Sequence, residues 1–258
     1  MSELSLKDID EFSKISDIGG TGEVFSVPLM YRFLLRYLSP IVRFTFNIKY
    51  TGIERIPRKG AMILTSNHIS NLDPIFKILA ARRQVFYLAK EGHFQKQPNR
   101  FIMKSNGMIE TLRSEGAKDA LSRAHDVLNG GYALGIFPEG TRSRNTSPPF
   151  LQRGKTGVAR IAASFPSVPV YPISIIGSRE VMPPGANFIR FWKRVEVNIG
   201  EPVTFGEWLG SVSGGNFSSA QIESLTELDE HGKISIMKVL YRNFTDQLMA
   251  TIESMGAP

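Results

Sequence analysis

An α/β fold is what this chain of 258 residues predicts: a layered, mostly parallel or mixed β-sheet flanked by helices, preceded by an N-terminal amphipathic helical element. Three observations lead there. From residue 46 onward, short β-prone runs alternate with helical patterns, the signature of helices layered on a sheet. Residues 24–50 form an apolar stretch interrupted by spaced arginines. The composition, 42% hydrophobic and 21% charged, is that of a folded chain and excludes disordered, collagenous and coiled-coil architectures.

Residues 1–23 form an acidic segment, with Glu3, Asp8, Asp10, Glu11, Asp17 and Glu23 against Lys7 and Lys14. An acidic, polar start does not read as a secretory signal. Residues 24–50, VFSVPLMYRFLLRYLSPIVRFTFNIKY, are interrupted by Arg32, Arg36 and Arg43 well before the ~20 apolar residues a spanning helix needs. On a regular helix the three arginines share a narrow arc, leaving Phe, Leu, Met and Tyr on the other faces. Pro28 suits a first helical turn, and Pro40 is expected to split the segment in two. Such an element fits the headgroup layer of an anionic bilayer; it also fits an amphipathic helix packed on the domain's own core.

Residues 51–258 are expected to form the main domain. The sheet is assigned the runs Phe46–Tyr50, Ala61–Ser66, Val85–Ala89, Met108–Leu112, Ala133–Phe137, Val168–Ile176 and Val195–Ile199. Helical patterns fall at Asp73–Arg82, Glu115–Leu128, Thr156–Ala163 and Ile234–Ser254. Residues 206–232, Gly/Ser-rich and then acidic, read as a surface excursion.

Composition narrows the chemistry. There is no cysteine, so disulfides, zinc ribbons and thiol nucleophiles are excluded. His68, His93, His125 and His231 are too scattered for a usual zinc spacing, and no metal or cofactor is expected. Beyond residue 23 the chain carries 29 basic and 18 acidic side chains, a surplus that calls for an anionic partner. RNA-binding aromatic signatures and the Gly-x-Ser-x-Gly elbow of serine hydrolases are both missing. Gly154-Lys155-Thr156 fails as a phosphate-binding loop because Pro149 stands where a glycine is required.

Four strand ends carry chemistry-bearing residues. Ala61–Pro74, AMILTSNHISNLDP, runs an apolar strand into Asn67-His68, with Asp73 at a helix N-cap and Pro74 at the first helical position. Positions five apart point about 140° apart on a helix, so only a loop brings His68 and Asp73 together. Joined, they form an imidazole whose tautomer a carboxylate fixes; apart, Asp73 merely caps its helix. Tyr132–Ser143, YALGIFPEGTRS, ends in a turn where Gly140 exposes backbone amides and Arg142 offers a fork for phosphate. Lys90 and Arg113 follow two further strands. In a parallel sheet these ends meet at one rim, where one base among several cations fits proton abstraction beside a bound phosphate.

Together these residues resemble the glycerolipid acyltransferases of the lysophosphatidic acid acyltransferase type. His68 and Asp73 match the family's His-x4-Asp motif; Gly107, Ile109 and Arg113 match Gly-x-Ile-x3-Arg; Phe137–Ser143 match Phe-Pro-Glu-Gly-Thr-Arg-Ser; and Val168–Pro172 look like its Val-Pro run. The resemblance implies that His68 is the general base and that Asp73 holds its ring. Arg113, Glu139, Gly140, Thr141 and Arg142 belong to the acceptor site, and Val168–Pro172 wall the pocket. Lys90 is added as a phosphate contact, and Arg153 and Lys155 are turned toward the donor's phosphates. The implied reaction moves a fatty acyl chain from acyl-CoA or acyl carrier protein to the free hydroxyl of 1-acyl-sn-glycerol-3-phosphate, making phosphatidic acid. It implies no cofactor and no nucleic acid. The partners are a membrane lipid and an anionic membrane surface, met by a peripheral or monotopic protein on the cytoplasmic face, with residues 24–50 as the membrane-association element.

Overall fold

The computed structural model describes residues 4–90, 107–111, 116–183, 185–186 and 188–258; within elements, the side chains of Ala89, Lys90, Thr111 and Ala117 lie outside the description. Seven strands form one sheet: β1 (Ile48–Thr51), β2 (Met62–Ser66), β3 (Val85–Lys90), β4 (Met108–Thr111), β5 (Ala133–Ile136), β6 (Val170–Ile176) and β7 (Val195–Ile199), in the order β1-β7-β6-β2-β5-β3-β4. From β6 to β4 all neighbours are parallel. β7 is antiparallel to β6, and β1 is parallel to β7, so one edge pair runs against the other five strands.

The central strand shows why the sheet needs two layers of helix. β2 is buried on both faces, as strands of a parallel sheet are. With a side-chain period of two, Met62 and Leu64 join one core with Phe76, Val85, Tyr87, Ile173 and Val195. Ile63 joins the other, with Val127, Leu134, Ile161, Phe244 and Leu248. The first core is covered by α4 (Asp73–Ala81). The second is covered by α5 (Gly116–Asn129), α6 (Gly157–Ser164) and the long α10 (Glu230–Ser254), with α7 (Ser178–Val181) a single turn after β6.

The acidic segment is not detached from this core. Residues 6–16 form helix α1, whose Phe12 is buried against Phe205 with ring centroids 5.6 Å apart. Ser16 and Ser164 hydrogen-bond each other's helix ends, Ser16 Oγ donating to Ala163 O (2.7 Å) and Ser164 Oγ to Ser16 O (2.6 Å).

Residues 206–232 are largely exposed, yet two helices tie them to the core. α8 (Phe205–Gly210) and α9 (Ser219–Glu227) bury Phe205, Trp208, Leu209, Ile222 and Leu225 in the second core. Both helices start with reciprocal caps, Thr204 with Glu207 and Ser218 with Gln221. α8 is only six residues long, α9 buries only Ile222 and Leu225, and the polar turn between them dominates the composition.

Pro40 does not split residues 24–50. α2 (Leu29–Phe33) runs through a π turn at Leu34–Leu38 into α3 (Ser39–Thr45), with Pro40 in the first turn of α3. Ser39 N–H reaches back five residues to Leu34 O, and this wider turn accommodates a ring that an unbroken α-helix would not. One extra residue in the turn also rotates α3 by about 100° relative to α2. Arg43 therefore leaves the stripe of Arg32 and Arg36 and turns inward, donating to Leu79 O and lying over the Tyr50 ring.

The N-terminal helices pack on the domain along one face only. One face packs on α4: Tyr31 is buried, its hydroxyl accepting from Val85 N–H. Leu35, Leu38 and Val42 face Leu72, Ile75 and Leu79 across an apolar groove of about 290 Å³. The opposite face leaves Leu29, Phe33, Tyr37, Ile41 and Phe44 exposed, Phe44 almost fully. No described helix is long and apolar enough to cross a membrane.

Candidate active site

The site grows from the end of β2. Asn67 is buried and clamps that end to β6, donating from Nδ2 to Ile175 O and accepting at Oδ1 from Ile175 N–H, both at 2.8 Å. The chain then loops to α4, whose first residue is Asp73, with Pro74 second; the N-cap position falls to Leu72, which offers no side-chain bond. Asp73 does not cap its helix. Its carboxylate turns back over the loop, Oδ2 accepting from Ile69 N–H (2.7 Å), Ser70 N–H (2.7 Å) and His68 Nδ1 (2.9 Å), while Oδ1 accepts from Ser178 Oγ (2.6 Å).

These bonds settle the imidazole. An ionised carboxylate can only accept, so Nδ1 of neutral His68 carries the proton and Nε2 is the basic nitrogen. Asp73 is wholly buried, whereas the His68 side chain keeps 18% of its surface open. The ring lies flat on Phe137, centroids 3.9 Å apart and planes 19° apart.

The turn after β5 supports the same backbone. Glu139 is buried, its two oxygens accepting from His68 N–H (2.6 Å) and Gln152 N–H (3.0 Å), and Ser143 N–H donates to His68 O (2.8 Å). Burial pushes the Glu139 carboxyl up to about 7, against the two amide bonds that favour its ionised form. Gly140 has φ +71°, a left-handed turn conformation that favours glycine, and the Lys155 side chain lies against it. Arg142 donates to Asn71 Oδ1 on the His68 loop, and its Nε is buried without a partner. Thr141 is exposed on the same turn.

Other expected residues fare differently. Lys90 ends β3 at this rim, its side chain outside the described residues; Arg113 lies outside them altogether. Gly107 precedes β4 with φ +69°, and Ile109 is a core residue. The run Val168–Pro172 does not wall the pocket. Val170 pairs with Ile63 near the start of β2, so the run lies toward the amino end of β6, away from His68. The end of β6 that does reach the site is Ile175 to Ser178.

Two side chains were not anticipated. Ser178 arrives from α7 to bind Asp73. Lys77, one helical turn after Asp73, is completely buried, its Nζ donating to Leu64 O (3.3 Å) and Ile136 O (3.0 Å) and standing 3.6 Å from the Phe137 ring centroid. His68 covers one face of that ring, so Lys77 lies beneath the other. Burial pulls the Lys77 ammonium well below its usual range, opposed by Asp73. A charged residue on an otherwise apolar helix face was a legible signal for Lys77; nothing local marks Ser178. The larger cleft between α1, α9 and α10, about 1570 Å³, carries both signs of charge and none of these residues.

A basic nitrogen at a sheet rim, its proton position set by a buried carboxylate beside an arginine turn, defines a site for proton transfer next to an anion. The sequence model of the acyltransferase family matches residues 47–176, just over half of the chain and all of this site up to Ile176. The protein belongs to that acyltransferase family. It is similar to a chloroplastic 1-acyl-sn-glycerol-3-phosphate acyltransferase of Arabidopsis thaliana, 30% identical over 61% of this chain but only 44% of the plant protein, so the match spans less than half of that relative. A Bacillus subtilis 1-acyl-sn-glycerol-3-phosphate acyltransferase is 24% identical over 67% of this chain and 82% of its own length. The crystal structure of the 1-acyl-sn-glycerophosphate acyltransferase of Thermotoga maritima shares the fold, with a TM-score of 0.53, 21% identity and coverage of 85% of this chain and 81% of that one.

Proposed function

We propose that this acyltransferase moves a fatty acyl chain from a thioester donor, acyl-CoA or acyl carrier protein, to the free hydroxyl of 1-acyl-sn-glycerol-3-phosphate, forming phosphatidic acid. The observation that carries the reading is the His68–Asp73 pair at 2.9 Å beside the Arg142 turn. An alcohol is a weak nucleophile near neutral pH. His68 Nε2 removes the hydroxyl proton as the oxygen attacks the thioester carbonyl, and Asp73 stabilises the imidazolium. Collapse of the tetrahedral adduct breaks the C–S bond, and the proton on Nε2 passes to the departing thiolate.

Arg142, with Arg113, holds the acceptor's phosphate, and Lys90 adds a third cation. Glu139 fixes the backbone of His68, while Gly140 and Thr141 form the surface against which the headgroup lies. Lys155, beside Gly140, and Arg153 face the donor's phosphates. The apolar groove begins at Leu72, next to Asp73, and suits an acyl chain reaching in from a bilayer. The exposed face of the N-terminal helices seats the protein as a peripheral or monotopic one on the cytoplasmic side of an anionic membrane.

The test is an assay of the purified protein crossing several lysophospholipids with both donors. His68→Ala is expected to lower transfer to 1-acylglycerol-3-phosphate by at least ~10²-fold while vesicle binding is retained. Undiminished turnover in that variant would falsify the catalytic assignment, and equal activity on an acceptor lacking phosphate would count against the role of Arg142.

A further inference from the structure

Residues 188–194, FIRFWKR, are used neither by the fold's cores nor by the reaction. Phe188, Phe191 and Trp192 are 57%, 48% and 60% exposed, with Ile189 partly so. Four large apolar side chains within five positions form a patch of the kind that marks an interaction surface. The backbone beneath them is held. Arg190 N–H donates to Val181 O (2.9 Å), Lys193 N–H to Arg190 O (3.0 Å), and Asn47 N–H to Phe191 O (3.4 Å). The rings also brace one another: Phe191 and Trp192 meet edge to face at 5.2 Å, and Arg190 lies over Phe188.

We propose that this segment is a second membrane-seating element, an aromatic and basic wedge that enters the headgroup layer of an anionic bilayer beside the N-terminal helices. The inference rests on the membrane-surface reading of those helices. Continuity and charge select the lipid. Asn47 lies two residues after α3, and Ile189 lines the same apolar groove as Leu35, Leu38 and Val42, so the wedge adjoins the N-terminal helices at the end of α3 and along that groove. Arg190 and Lys193 stand among the aromatics, and the first acid after them is Glu196, which pairs with Arg194. Aromatic rings with interspersed Arg and Lys suit the boundary between headgroups and acyl chains. A helix lying on a bilayer can roll about its own axis; a second contact off that axis fixes the roll, and with it the direction in which His68 opens.

The chain has two tryptophans, exposed Trp192 and buried Trp208, which makes the test direct. Full-length protein is mixed with phosphatidylcholine–phosphatidylglycerol vesicles, and emission and acrylamide quenching are compared with those of Trp192→Phe. The expected result is a blue shift and protection from quenching in the wild type that Trp192→Phe lacks. Phe191→Ser/Trp192→Ser is expected to bind vesicles at least tenfold more weakly, with an unchanged melting temperature. If the wild type binds vesicles while Trp192 stays fully quenchable, the wedge is overturned and the membrane reading stands. If it does not bind, both fall. A blue shift that grows with protein concentration without lipid identifies a second copy as the occupant and also overturns the proposal.

Discussion

Asp73, on α4, accepts four hydrogen bonds from two other segments, which makes one carboxylate the point where the His68 loop, α4 and the turn after β6 are registered to each other. His68, Asp73 and the Phe137–Ser143 turn were legible in the sequence because the spacing within each is local. Ser178 was not, because it meets Asp73 only through the parallel pairing of β2 with β6. Glu139 offers a test in stability. Its carboxyl is raised from 4.5 to about 7, chiefly by burial, so between those values the folded state binds more protons than the unfolded one. The contribution is full below pH 4.5 and is lost as pH rises through 7, by roughly 3 kcal/mol. Glu139→Gln is expected to be less stable at every pH, since an amide nitrogen would face a backbone N–H. Urea denaturation from pH 4.5 to 8 should nevertheless show a flatter slope in the variant than in the wild type.

The seven expected strands overlap the seven among the described residues because central β2 and β6, buried on both faces, read as compact apolar runs and the edge pair β1 and β7 alternates in burial with a period of two. Helices were less uniformly legible. α4, α5, α6 and α10 show their apolar periodicity, whereas α8 is only six residues long and α9 buries only Ile222 and Leu225. Their contribution can be measured. Phe205 is fully buried and packs on Phe12, Trp208 and Phe244. Phe205→Ala is expected to cost about 3–5 kcal/mol of unfolding free energy, read from the urea midpoint at unchanged slope; a loss below about 1 kcal/mol would count against this packing. The π turn before Pro40 was hidden for another reason: one added residue changes which side chains share a face, and a sequence periodicity assumes a constant turn.

At the scale of the molecule, charge and exposed apolar surface lie together. Arg32 and Arg36 border the exposed face of the N-terminal helices, whereas Arg43 is committed to Leu79 O and Tyr50. Arg32→Glu/Arg36→Glu is expected to weaken flotation with phosphatidylglycerol vesicles by at least about tenfold, on the basis of about 1 kcal/mol per basic residue near an anionic surface. Arg43→Glu should instead lower the melting temperature. Equal effects of the two on vesicle binding would remove the distinction that the π turn creates.

The reversed edge pair has a further effect. Because β1 and β7 run against the other strands, their amino ends, Ile48 and Val195, lie level with the carboxyl end of β6, beyond the register position of Ser66 at the end of β2. α3 leads into one of those ends and the Phe188–Arg194 segment into the other, at the edge of the sheet from which His68 projects. Had β1 and β7 run the other way, both attachment points would sit a strand's length off, about 17 Å for five residues. If the protein acts as proposed, the reversal lets reactant and product keep their chains among neighbouring lipids throughout turnover.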